Sequence, residues 1–348
     1  LNHASRNNAL IVLFLFLLIN RGLLASSVHG SQISPKFNDG MSVGTLYKND
    51  PLDEASGLAA SRKNPNVLWL HEDDWGPFIY AINIDGTILG KYQVGTGGAD
   101  VEDIAIGPGP EDGVNYIYAG HIGDNGADRS NIYIRRVPEP KVKENQVYAE
   151  FNLTGVDTIT LQYPDGAKDA ETLMVDTNCD IYIVSKRLSS NKIYRASYPQ
   201  STTETVTLEL VAMLPEKSEF KWITAGDISV NGEWIILRND ESDDYAYIWY
   251  RAPGSELKQA FEKDYTVVDI NDEPQGEAIC YDSEGSGFYT VSEHAGYESV
   301  PIWYYKLSNQ KTETDNGKNN SSFGWFFIIG ISLMIIFLII FILIRISG

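Results

Sequence analysis

Between residues 41 and 308 the apolar residues fall in short β-branched and aromatic runs bounded by Gly, Pro, Asn and Asp, without the spacing of an amphipathic helix. One element of the pattern recurs five times. An isoleucine is followed by an aromatic residue at Ile79-Tyr80, Ile132-Tyr133, Ile193-Tyr194, Ile248-Trp249 and Ile302-Trp303, at intervals of 53, 61, 55 and 54 residues. A period of about 55 in strand-rich sequence predicts one four-stranded sheet per repeat, and such sheets bury both faces by packing around a common axis.

Each pair lies in an expected third strand: 78–85, 131–138, 192–199, 246–253 and 301–308. Second strands are expected at 67–70, 116–119, 181–184, 234–237 and 288–291, and first strands at 55–60, 103–106, 171–175, 227–230 and 277–281. The first runs carry small residues, as the innermost strands of a closed ring require. Fourth strands are expected at 88–94, 157–163, 208–214 and 265–270. The last repeat has none, so residues 41–48 are expected to complete it and close the ring, which leaves no free edge between first and last sheet. The expected fold is all-β, a single five-bladed β-propeller over residues 41–308. A sixth, degenerate blade within 138–170, where the interval is longest, is the alternative.

The flanks predict placement. Residues 9–19 are apolar, preceded by Arg6 and followed by Ala25, Ser26, Ser27 and Gly30, the pattern of a secretory signal peptide over residues 1–30. The chain starts at Leu1 rather than Met, so residues before it are expected. Residues 323–344 carry no charge, and 22 residues of helix span roughly 33 Å, enough for a bilayer core of about 30 Å. They are read as a transmembrane helix, with 309–322 as a polar stalk and 345–348 as a cytoplasmic tail. A lipid-anchor signal cleaved near 316–322 is the other reading. The protein is thus expected to be a single-pass type I membrane protein with an extracellular domain, open to shedding into the matrix, with glycosylation acceptors at Asn152, Asn319 and Asn320. Cys179 and Cys280 are the two cysteines, which excludes a disulfide scaffold and leaves their pairing open.

Composition changes the picture of partners. The formal net charge is −20. Residues 31–322 hold all 47 acidic residues but only 24 of the 27 basic ones, since Arg6, Arg21 and Arg345 lie outside. Such a field excludes nucleic acid as a partner and concentrates cations. A single spanning segment also excludes a transport path.

Carboxylates recur at the entry of every expected first strand: Glu54, Glu102 with Asp103, Glu171, Asp227 and Glu277. In a propeller these positions ring one mouth of the central channel, where like charges raise one another's pKa unless a cation sits among them. Calcium, which takes several oxygen ligands at flexible geometry, is the expected metal. The competing expectation is that these acids accept backbone amides of the neighbouring blade. Turns after the second strands emerge on the same face and bring His71, Lys186, Arg187, Arg238 and His294, candidates for holding an anionic substrate. No G-x-S-x-G, H-E-x-x-H, P-loop or C-x-x-C motif is present. Asp124-Asn125-Gly126-Ala127-Asp128 lacks the offsets of a calcium loop and is read as a tight turn.

Several segments together, Glu54-Ala55-Ser56-Gly57-Leu58, Glu102-Asp103-Ile104-Ala105-Ile106-Gly107-Pro108-Gly109-Pro110, Gly123-Asp124-Asn125, Val137-Pro138-Glu139-Pro140, Tyr163-Pro164-Asp165-Gly166 with Asp169-Ala170-Glu171, and Gln275-Gly276-Glu277-Ala278-Ile279, resemble a widespread group of secreted and membrane-anchored propeller proteins, most of them uncharacterised. The chain departs from that group at His121, where Asp is usual. More distantly, the first-strand acids look like those of calcium-activated apyrases, and phytase-like and esterase-like propellers are a similar comparison. The acidic profile also resembles proteins of biominerals, such as the organic matrix of coral skeleton. The resulting expectation is an extracellular propeller that binds calcium and a mineral surface or protein partner without catalysis. The alternative is a calcium-dependent hydrolase of phosphate or carboxylic esters, with Glu102, Glu171 and Glu277 on the metal.

Overall fold

The computed structural model describes residues 34–48, 51–73, 76–97, 101–143, 146–240 and 245–308. The expected signal peptide, stalk, transmembrane helix and tail, and with them Asn319 and Asn320, lie outside the described residues. Among the described residues no helix is long and apolar enough to cross a membrane.

Strand β1 (Met41–Tyr47) opens the domain and belongs to its last sheet. The first blade is β2 (Ala55–Ala60), β3 (Val67–Glu72), β4 (Phe78–Asn83) and β5 (Ile88–Gln93). The second begins with β6 (Asp103–Pro108), β7 (Asn115–His121) and β8 (Ile132–Pro138). Then β9 (Ala149–Asn152) crosses back to pair in parallel with β5 before β10 (Asp157–Gln162) completes the second blade. The third blade is β11 (Ala170–Val175), β12 (Ile181–Ser185), β13 (Lys192–Ala196) and, beyond β14 (Val206–Thr207), which pairs in parallel with β10, strand β15 (Glu209–Met213). The fourth is β16 (Ile223–Ile228), β17 (Trp234–Asn239), β18 (Tyr245–Tyr250) and β19 (Thr266–Asp269). The fifth is β20 (Gly276–Tyr281), β21 (Gly287–Ser292), β22 (Ser299–Lys306) and β1.

This is a five-bladed propeller closed by its N-terminal strand. The long interval between the second and third pairs holds no sixth blade. It is taken up by the return of β9 to the first blade and by the approach to β10.

The isoleucine-aromatic repeat follows from strand geometry, because consecutive residues of a strand point to opposite faces and each face of a blade packs on a different neighbour. Ile79, Ile193, Ile248 and Ile302 enter the core shared with the following blade, whereas Tyr80, Tyr194, Trp249 and Trp303 pack toward the preceding one. The five apolar cores are thus the five inter-blade interfaces. Inner strands β2, β6, β11, β16 and β20 contact one another around the axis.

One expected strand is displaced. The fourth inner strand is Ile223–Ile228 rather than 227–230, which carries Asp227 from the expected entry to the fifth position, deep in the channel. Cys179 lies in the turn between β11 and β12 and Cys280 in β20, and both are free thiols.

Candidate functional site

Inner strands enter the channel at one end, and there β2, β11, β16 and β20 each carry a register shift: between Ala55 and Leu58, Ala170 and Thr172, Ile223 and Ala225, and Gly276 and Ala278. A bulge re-aims the extra residue. In the third and fifth blades that residue is Glu171 or Glu277, and in the second blade Glu102 stands just before β6. The first and fourth blades have hydroxyls there, and each closes onto the next blade: Ser56 Oγ donates to the Glu102 carbonyl at 3.1 Å and Thr224 Oγ1 to the Gly276 carbonyl at 3.0 Å.

The three glutamates line a recess of about 310 Å³ at the channel mouth, together with Ser56, Asp73, Asn125, Lys186, Arg187, Trp222, Asp240, Gln275 and Glu293. Its lining is almost wholly polar, with six carboxylates against two bases. The Lys186 ammonium sits on the Glu171 carboxylate. Arg187 bonds Asp169 and Asn125 and approaches the other Glu171 oxygen at 3.8 Å. Arg187 holds a left-handed backbone, φ 67°, which costs a non-glycine residue about 1 kcal/mol or more and persists only where surroundings impose it. Here its N–H is tied to the Lys221 carbonyl at 2.8 Å, and its guanidinium lies 5.7 Å from the Trp222 ring. Gln275 Nε2 donates to Glu277 Oε1 at 3.2 Å.

Burial sets the electrostatics. It pushes the Glu171 carboxyl up to about 7, with Glu277 and Asp169 adding to the shift against Lys186, and it pushes Glu293 up to about 8, with Glu277 and Asp73 adding. Glu277 is raised for the same first reason. Burial opposes the charge on Lys186, but Glu171 and Glu277 outweigh it, so the ammonium is held more firmly than in an ordinary lysine.

Two glycines make room. A Cβ on Gly123 would lie 1.8 Å from Glu102 Oε1, so any side chain in this turn after β7 would have to push the Glu102 carboxylate from its place. At Gly57 a Cβ would meet His71 Nε2 at 2.5 Å, and the Gly57 N–H donates to that nitrogen at 2.8 Å.

The residues expected at the site divide. Glu102, Glu171, Glu277, Lys186 and Arg187 come together in the recess. Asp103 and Asp227 are corrected to blade staples. Asp103 accepts the Ile104 and Leu173 amides at 2.8 Å each, and Asp227 accepts those of Ile228 at 2.7 Å and Tyr281 at 2.9 Å, so each ties its blade to the next. Glu54 is half-buried beside the recess, its amide donating to Glu72 Oε1 at 3.0 Å. Arg238 is withdrawn from substrate contact: it is fully buried and paired with Glu273 at 2.5 Å. His71 is fully buried beneath Gly57, and burial lowers it to about 4, which keeps it neutral. His294 is buried with its ring nitrogens 3.0 Å and 3.2 Å from the carbonyls of Asp53 and Leu46, joining the fifth blade to the segment that enters the first. Asn152 is exposed at the end of β9. Asp124 caps its own turn through the amides of Asp128 and Arg129, as a tight turn should.

Sequence reasoning did not single out Trp222 or Gln275. Both stand close before an inner-strand entry, and with its start fixed at Ile223 the fourth strand would have pointed to Trp222. Among the described residues no group of three or more His, Cys, Asp or Glu side chains converges closely enough to hold a metal as placed. The arrangement offers oxygen donors only, with Lys186 occupying one Glu171 oxygen.

No protein-family profile matches the chain, and no curated protein matches it in sequence. Among solved structures the chain is similar to a luciferin-regenerating enzyme, at 10% identity and a TM-score of 0.44, covering 79% of this chain and 96% of that one. At that distance the likeness leaves the activity of this chain to its own residues.

Proposed function

We propose that the chain is an extracellular binding propeller whose channel mouth takes a cation, calcium first, and through it a mineral surface or protein partner. The observation that carries this reading is the imbalance of six carboxylates against two bases around one polar recess. All-oxygen donors suit calcium. In this reading Lys186 is the internal counter-ion, and calcium enters by displacing it from Glu171 while Glu102 and Glu277 complete the contact. The same proposal places the domain outside the cell, held by residues 323–344 and glycosylated at Asn152. Calcium titration of the purified full chain tests it. Glu277→Gln should weaken binding at least about tenfold, a charge-assisted contact contributing roughly 1.5–3 kcal/mol. Lys186→Met should tighten it by removing the competitor. No calcium-dependent heat and no calcium-dependent rise in melting temperature would remove the reading.

A second reading is a calcium-dependent ester hydrolase. The observation favouring it is that Glu171 and Glu293, raised to about 7 and 8, share the recess with the half-exposed Arg187, a combination that suits proton transfer beside an anionic group. Turnover of nucleotides or chromogenic esters with calcium, lost in Glu171→Gln, would favour this reading. Calcium binding with no turnover from pH 5 to 9 would dismiss it.

A further inference from the structure

The opposite end of the channel holds a second recess, of about 410 Å³, where the turns leaving the inner strands meet. Every blade contributes: Arg62 follows β2, Pro108 ends β6, Asn115 begins β7, Thr177 follows β11, Val230 follows β16, and Ser283 and Glu284 follow β20. Arg62 is the only basic residue of this lining.

Arg62 is also exceptional among the arginines. Among the described residues each of the other seven engages its guanidinium: Arg129 with the Gly123 carbonyl, Arg135 with the carbonyls of 94, 96 and 97, Arg136 with Asp157, Arg187 with Asp169, Arg195 with Glu209, Arg238 with Glu273 and Arg251 with Asp176. The guanidinium of Arg62 makes no such bond among the described residues, although the side chain is half-buried. The carboxylates whose charge Arg62 feels do not bond it. Asp227, across the ring, has both oxygens on backbone amides, and Glu139 receives Ser61 and Trp69 on Oε1 while its Oε2 takes no hydrogen bond, from Arg62 or any other described residue. A half-buried guanidinium presents up to five N–H donors, and here they meet the recess without a protein partner among the described residues, open to water or to a ligand that accepts them in its place.

We propose that this basal recess is a binding site for a small carboxylate, held two-pronged by the Arg62 guanidinium. The planar fork matches a carboxylate, and Asn115 and Ser283 supply amide and hydroxyl groups at the wall. Glu284 at the rim and the net charge of −20 act against polyanions. The ligand is therefore a monoanion, either a free small acid or the C-terminus of a peptide. This site is independent of the calcium reading, because it lies at the other end of the channel and contains none of its residues.

The test is calorimetric titration of the full chain at low ionic strength with acetate, inorganic phosphate, and trialanine bearing a free or an amidated C-terminus. Acetate should saturate one site. Arg62→Gln should weaken it by roughly ten- to a hundredfold, the range for losing a charge-assisted contact, and Arg62→Lys by less. Glu284→Gln should tighten it a few-fold without touching the site's donors, and so tests the proposal even if Arg62→Gln fails to fold. Binding of trialanine only when its C-terminus is free assigns chain ends as well as free acids, and binding of acetate alone assigns free acids. Unsaturable acetate, equal affinity in Arg62→Gln, or phosphate bound more tightly than acetate would overturn the proposal.

Discussion

Arg238→Met separates a structural arginine from a substrate-binding one. Arg238 and Glu273 both have fully buried side chains, with 2.5 Å between Nη1 and Oε2, and Nη1 also reaches the Ala278 carbonyl at 3.2 Å in the next blade. Glu273 receives Thr290 Oγ1 on its other oxygen at 2.8 Å. Removing the guanidinium leaves a carboxylate buried between the fourth and fifth blades with its charge uncompensated. Breaking such a pair from one side costs about 3–5 kcal/mol. At roughly 2–4 °C per kcal/mol for a domain of this size, the melting temperature should fall by about 6–20 °C. The double variant Arg238→Met with Glu273→Gln should recover most of that loss, because no buried charge is left behind. Thermal melts of the four proteins of this cycle give the coupling directly, and calcium titration of whichever remain folded gives the binding. A melting temperature within about 2 °C of the parent in Arg238→Met, or a double variant no better than the single one, would refute the argument. Unchanged stability with lost binding would return Arg238 to the site.

The raised carboxyls give a pH dependence of definite sign. Glu293 near 8, Glu171 and Glu72 near 7 and Asp227 near 6 all hold their protons more tightly folded than unfolded, where they titrate at about 4. Their contribution to stability is complete below that value and is lost as pH rises through the folded values. Without calcium the melting temperature should therefore fall from pH 5 to pH 8, and Glu293→Gln should flatten the upper part of the fall; a rise across that window would contradict the assignment. Asp103→Ala leaves the Leu173 amide without its acceptor between the second and third blades and should cost about 1–3 kcal/mol in denaturant unfolding, with calcium affinity unchanged. Gly123→Ala places a methyl against Glu102 and should weaken calcium binding several-fold while leaving most of the stability, as titration and melts on the same protein would show.

What could be read before the fold was known is the architecture, because a propeller blade is written locally. Each isoleucine of the five pairs enters a different one of the five inter-blade cores, and in every pair but Ile132-Tyr133 the aromatic residue packs into the core on the other face. The missing fourth strand of the last repeat pointed to β1 as the strand that completes the last blade. The strand pattern failed at β16, where Ile223-Thr224-Ala225-Gly226 is less strand-like than the run after it, and that four-residue error moved Asp227 from the mouth to the channel interior.

The chemistry of the acids was not legible in the same way. Glu102, Asp103, Glu171, Asp227 and Glu277 look alike in sequence, yet two of them accept amides from the next blade and three face the recess. What separates them is register: a bulge turns Glu171 and Glu277 into the mouth, while Asp103 and Asp227 face the adjoining strand. Arg238, His71 and His294 were likewise assigned from the loops that carry them, and the fold buried all three against partners distant in the chain. Periodicity is a property of neighbours along the chain, and so the residues alone determined that this is a ring of five sheets. Whether a given charge meets solvent, an amide or another charge depends on strands tens to hundreds of residues apart, and only their packing decided it.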